Sequence, residues 1–138
     1  MSDSFYEYLK IRINESGDEV DKCVTYLPDI FKTLSGLLDH ETLLQEDRLR
    51  INAALAYIVV PNDVIPEEVY GTWGYFDDLF VGARVLKEMH QKYPDAVLKR
   101  WEVGEDFVQT LDFCLLQATH FLEEKDMTDK VLDFAGLR

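Results

Sequence analysis

Apolar residues recur at helical spacing along most of this chain. Phe5, Tyr8, Leu9 and Ile13 share the core side of a first helix that Asp3 or Ser4 can cap and Ser16-Gly17 ends. Asp18 can cap a second, with Val20, Val24 and Leu27 on one face. Pro28 falls inside the next apolar pattern, so it either kinks one long helix or stands near the start of a new one. Ile30, Phe31, Leu34, Leu37 and Leu38 carry the core face on to a turn at Asp39-His40, and residues 41–60 read as the helix that follows. Tyr93-Pro94-Asp95 opens a short helix with Val97, Leu98 and Trp101, which Gly104 interrupts. Residues 105–123 form a long amphipathic helix with Val108, Leu111, Leu115, Ala118 and Leu122 inward and Phe107, Cys114 and Phe121 beside them. A last short helix over 127–137 turns Val131, Leu132 and Phe134 to the core. Alternating β-branched runs and hairpin signals are lacking, so the pattern predicts an all-α, compact, single-domain orthogonal helical bundle of five to seven helices spanning residues 1–138.

The pattern is densest between residues 51 and 86. Residues 51–60 are apolar on nearly every face, with Asn52 the polar exception, which predicts a buried central helix; the segment is too short to cross a bilayer. Pro61 ends it by pushing Val60 out of the helical region. A hinge follows in which Asp63 caps a short turn before Ile65-Pro66, and Gly71 and Gly74 punctuate the return. Residues 75–90 then form a helix with Phe76, Leu79, Phe80, Ala83 and Leu86 on one stripe. Asp77 and Asp78 lie in its first turn, where carboxylates complement the helix dipole. Asp78 also heads the apolar row Gly82, Val85 and Met89, so it sits at a boundary or is buried with a partner, for which Arg48, Arg50, Asn52 and Tyr57 are the candidates.

The residues Pro61, Asp63, Ile65, Pro66, Gly74, Asp77 and Asp78 follow the order P-x-D-x-I-P, spacer, G-x-x-D-D after an Ala/Leu-rich helix. This pattern resembles the YkvA-like family of unknown function, with the resemblance centred on about residues 48–90. The chain departs from it at Glu67, where the family usually has Asp, and in the more polar spacer 68–73. The resemblance implies a small helical domain and brings no established activity; some relatives look membrane-associated.

Charge narrows the functional classes. Against 27 acidic residues stand 14 Lys and Arg, a formal charge of −13, and such a surface repels nucleic-acid phosphates and anionic lipids. It favours cations or a protein partner with a basic surface, such as a toxin or nuclease that the chain would neutralise. Residues 61–80 hold Asp63, Glu67, Glu68, Asp77 and Asp78 with no Lys or Arg. Asp63, Asp77 and Asp78, with Glu67 outlying, form an oxygen-only set suited to Mg²⁺, Mn²⁺ or Ca²⁺. The competing reading has Asp63 and Asp77 as helix caps and Asp78 paired with an arginine. A single Asp-Asp pair without a second such motif does not suit prenyl transfer.

Tyr70, Trp73 and Tyr75 crowd the hinge and either close the core or, if exposed, anchor a partner. His120 with Glu123 and Glu124 has helical ligand spacing, whereas His90 complements a helix C-terminus. Cys23 and Cys114 lack C-x-x-C spacing and read as reduced, partly buried thiols. Phosphate loops and nucleophile elbows are missing. The first residues do not read as a signal peptide, so a cytoplasmic location is expected. These features favour a non-enzymatic interaction or accessory protein. A divalent-metal module or metal-dependent enzyme at Asp63, Asp77 and Asp78 is the alternative, and peripheral membrane contact a third.

Overall fold

The computed structural model describes residues 2–15, 22–60 and 75–137. Over these residues the chain forms seven α-helices: α1 (Ser2–Glu15), α2 (Leu27–Leu37), α3 (Gln45–Val59), α4 (Phe76–Lys92), α5 (Pro94–Arg100), α6 (Phe107–Glu124) and α7 (Thr128–Ala135). A 3-10 helix, Lys22–Tyr26, leads into α2, and the described residues contain no strand. Pro28 stands in the first turn of α2, where a missing N–H costs nothing. It therefore marks the start of a new helix rather than a kink.

The central helix is α4, not α3. Helix α4 packs against α2, α3, α5, α6 and α7, and its Leu79, Val81, Ala83, Val85, Leu86 and Met89 are fully enclosed. Gly82 lets it approach its neighbours closely, since a Cβ there would stand 3.0 Å from Ile30 Cγ2 and 3.3 Å from Ile58 Cδ1. Helix α3 buries only Ile51, Ala54, Tyr57 and Ile58 of its apolar segment, while Val59 and Val60 are exposed. It begins at Gln45, after an extended Leu44, rather than at residue 41. It ends at Val59, and Val60 adopts the extended conformation that a following proline imposes.

Local chemistry sets the other boundaries. Asp106 accepts from Gln109 N at 2.9 Å and starts α6 one turn beyond the interruption at Gly104. At the other end of the chain Gly136, with φ +75°, closes α7 while Leu137 N–H reaches Leu132 O at 2.9 Å and buries the Leu137 side chain.

Four apolar assignments are corrected by this packing. Tyr8, Leu98, Val108 and Phe134 are exposed, because each helix turns a narrower stripe inward than its apolar content allows. In α6 the inner stripe is Phe107, Leu111, Cys114, Ala118, Phe121 and Leu122. Helix α1 already begins at Ser2, so neither Asp3 nor Ser4 precedes it as a cap. The expected breaks and cap at Ser16, Gly17 and Asp18, and Val20, lie outside the described residues.

Candidate functional site

Helices α3 and α4 flank the hinge and run antiparallel, joined by three polar rungs. Nearest the hinge, the Tyr57 hydroxyl donates to Asp77 Oδ2 at 2.7 Å, with both residues buried. In the middle, Arg50 Nε and Nη2 donate to the two oxygens of Glu88 at 2.8 and 2.9 Å, a bidentate pair about two-thirds covered. At the far end Lys92 Nζ donates to Asp47 Oδ1 at 2.8 Å and the Tyr93 hydroxyl to Asp47 Oδ2 at 2.6 Å. Tyr93 also accepts from Leu44 N at 3.1 Å, so one phenol ties the start of α3 to the end of α4.

Asp47 is fully buried beneath these partners. Burial alone would push its carboxyl up in pKa. The hydrogen bonds from Lys92 and Tyr93, with the charges of Lys92 and Arg50, outweigh that and hold it below the ordinary carboxylate value. The same contact with Asp47 raises the pKa of both Lys92 and Tyr93. Asp47 was not legible as a buried acid, because its partners lie 45 and 46 residues away. The available signal was the hinge itself: two helices folded back on each other bring residue 47 opposite residue 92.

The structure places three of the sequence-derived site residues. Asp77 and Asp78 are both buried at the start of α4, and both make further interactions. Asp77 is not the cap, since the N-cap position is Tyr75 and no side chain caps the helix there; its carboxylate serves Tyr57 instead. Of the arginines expected near Asp78, Arg50 is engaged with Glu88 and Arg48 donates to Leu38 O at 2.9 Å. Tyr75 is 4% exposed and closes the core, so it cannot anchor a partner.

Pro61, Asp63, Ile65, Pro66, Glu67, Tyr70, Trp73 and Gly74 lie outside the described residues. Among the described residues no group of three or more His, Cys, Asp or Glu is placed to hold a metal ion. His120 pairs with Glu124 at 3.1 Å on the open face of α6, and His90 lies against the Phe107 ring. Cys23 and Cys114 are fully buried and not joined in a disulfide, and Cys114 Sγ donates to Cys23 O at 3.6 Å.

The outer face of α3 forms a second feature. Asn52, Ala56 and Val59 follow one another at helical spacing, with Leu55 beside them, and line a groove with Phe31 and Ser35 of α2 and Leu38 at its C-cap. Phe5 of α1 lies against Phe31, the rings tilted by 47° with centroids 4.7 Å apart, and lines the same space. The result is an apolar groove of about 630 Å³, with Asp39 as the charged residue in its lining. The groove explains why residues 51–60 are apolar all round: one face meets α4 and the other lines the groove.

Residues 47–83 match the model of a protein family described only as being of unknown function, DUF1232. The matched segment opens at Asp47 and includes Tyr57 and Asp77, so it takes in α3, the hinge and the first half of α4. Over 71 residues the chain is 46% identical to the uncharacterized protein ORF9 of Methanothermobacter thermautotrophicus; the alignment covers 51% of this chain and 49% of that protein. The chain thus spans about half the length of the curated relative it matches. No solved structure matches it significantly. Among the described residues no helix is long and apolar enough to cross a membrane.

Proposed function

We propose that the chain is a non-enzymatic protein-interaction or accessory module whose acidic surface receives a partner with a basic face. The observation that supports this is the division of labour among its acids. Asp47, Asp77 and Glu88 are engaged in the α3–α4 rungs. Other acids are exposed at two surface sites: Glu102, Glu105 and Asp106 before α6, where Glu102 also pairs with Lys32 and Glu105 accepts from Tyr26, and Glu123, Glu124, Asp126, Asp129 and Asp133 around the α6–α7 turn, where Glu124 also pairs with His120. Such fields steer a cationic protein and weaken with salt. A basic toxin or nuclease held inactive by this chain is one partner of that kind. The reading is tested by affinity capture from the native host at low and at high salt. The expected result is a basic protein released as salt rises. Absence of any protein partner, together with turnover of a small substrate by the purified chain, refutes it.

A second reading places a divalent cation at Asp63, Asp77 and Asp78, as a metal-binding module or metal-dependent enzyme. It is favoured by two adjacent buried carboxylates at the hinge end of α4. Melting of the wild type, Asp77→Asn and Asp78→Asn with EDTA, Mg²⁺, Mn²⁺ or Ca²⁺ separates the two. Cation at about 100 times its dissociation constant adds about 2.7 kcal/mol to a protein that binds it. Stabilisation confined to the wild type supports the metal; no cation effect, with Asp78→Asn merely destabilising, refutes it.

A further inference from the structure

We infer that the groove between α2 and α3 docks an amphipathic α-helix of a partner, with a Lys or Arg of that helix meeting Asp39. The inference rests on the reading of the chain as an interaction module and names the partner's binding segment. Phe31, Ser35 and Leu38 form one wall, with Ala56 and Val59 on the other. From Phe31 to Leu38, and from Asn52 to Val59 opposite, is seven steps of 1.5 Å, about 10 Å or two helical turns. That length receives apolar anchors spaced i, i+4 and i+7. Ser35 and Ala56 are small and stand midway along their walls, which leaves the middle of the groove open for a large side chain.

The ends of the groove differ. Arg48 bonds Leu38 O, so the C-terminus of α2 meets the first half of α3. Leu38, Asp39 and Asn52 therefore lie at one end, and Phe5, Phe31 and Val59 at the other. Asp39 is exposed, and among the described residues no side-chain ion pair engages it. The lining contains no Lys or Arg, so its charge is complementary to a cationic helix. A second copy of this chain is disfavoured as the occupant because two chains of charge −13 repel one another. An anionic membrane is disfavoured by the same charge and by the concave shape.

The test uses the full chain labelled with ¹⁵N and a synthetic 18-residue helical peptide of Leu and Lys, with a Glu-for-Lys version as control. The expected result is saturable amide shifts at Ser35, Leu38, Asn52 and Ala56. Ala56→Trp, which fills the groove, and Val59→Glu, which charges its apolar end, each weaken the Lys peptide at least about tenfold. Both positions are exposed, so neither change removes a core contact. Asp39→Lys weakens the Lys peptide by roughly fivefold, the upper range for an exposed pair, and strengthens the Glu peptide.

Shifts elsewhere, no shifts up to about 1 mM peptide, or equal binding by the groove variants overturn the inference. So does dodecanoate moving these amides when the peptide does not, which would make the groove a small-ligand site. Concentration-dependent shifts without peptide, lost in Ala56→Trp, overturn it in favour of self-association. A host partner captured equally by wild type and Ala56→Trp overturns the groove while leaving the module reading intact. Capture of no partner, with turnover of a small substrate, overturns the module reading itself.

Discussion

Asp47 shows how one carboxylate can set a pH dependence. Its pKa in the folded protein lies below the ordinary value of about 3.9 that it regains on unfolding. Its contribution is therefore fully present above the unfolded value and is lost as pH falls through the folded one. Asp47→Asn should destabilise the protein at pH 7 by about 1.5–3 kcal/mol, the range for hydrogen bonds to a charged group. That difference from wild type should shrink in urea titrations repeated below about pH 4; a constant difference would mean that the charge is immaterial. Tyr57→Phe is a separate test at the hinge end. It removes the donor to buried Asp77 Oδ2 and should cost about 1–3 kcal/mol by the same measurement, with the urea slope unchanged. At this scale the sequence was informative about position and less so about role. Asp77 and Asp78 could be placed at a helix start from their neighbours alone. Their burial, and the choice of Tyr57 for Asp77, depend on how α3 lies on α4, which no local pattern encodes.

Between elements, close approach at Gly82 matters more than the exposed bonds. A β-branched side chain there meets Ile30 and Ile58, both buried, so neither can swing aside. Gly82→Val should lose about 2–3 kcal/mol to overpacking despite the helix propensity gained over glycine. A melting temperature at or above wild type would show that α2 and α3 can shift. The Arg50–Glu88 pair is partly exposed, and a double-mutant cycle to alanine should give a coupling of only about 0.5–1 kcal/mol. Helix periodicity, Pro61 and Pro94 made most elements legible, because each acts within a few residues, while Pro28 left a kink and a helix start equally open. The central position was misread because an all-round apolar helix can be buried on every side or shared between a core and a groove. Periodicity alone does not distinguish these, and α3 proved to be the second kind. Phe134 was misplaced for a similar reason: at the edge of α7 it lies against the Tyr57 ring, 5.8 Å between centroids, yet remains mostly open to water.

For the whole molecule, thirteen uncompensated negative charges oppose a small number of favourable ion pairs. Salt weakens both, and their relative size decides the sign. The exposed bridges Lys32–Glu102, Lys87–Asp112 and His120–Glu124 hold little stability. Lys92–Asp47 is shielded on the acid side, which lies 1% exposed, and is screened less. Repulsion among the surface acids acts across distances longer than a bond, where screening is most effective: the Debye length falls from about 30 Å at 0.01 M to about 3 Å at 1 M. Raising NaCl at pH 7 should therefore raise the melting temperature, by a few degrees if repulsion costs about 1 kcal/mol. KCl should act alike, since the effect is ionic strength and not a specific site. A melting temperature that falls with salt would show that the rungs and bridges outweigh the field, and would weaken the case that this charge is held for a partner. If the temperature rises instead, a cationic partner should produce the same stabilisation at low salt, because it neutralises the same field.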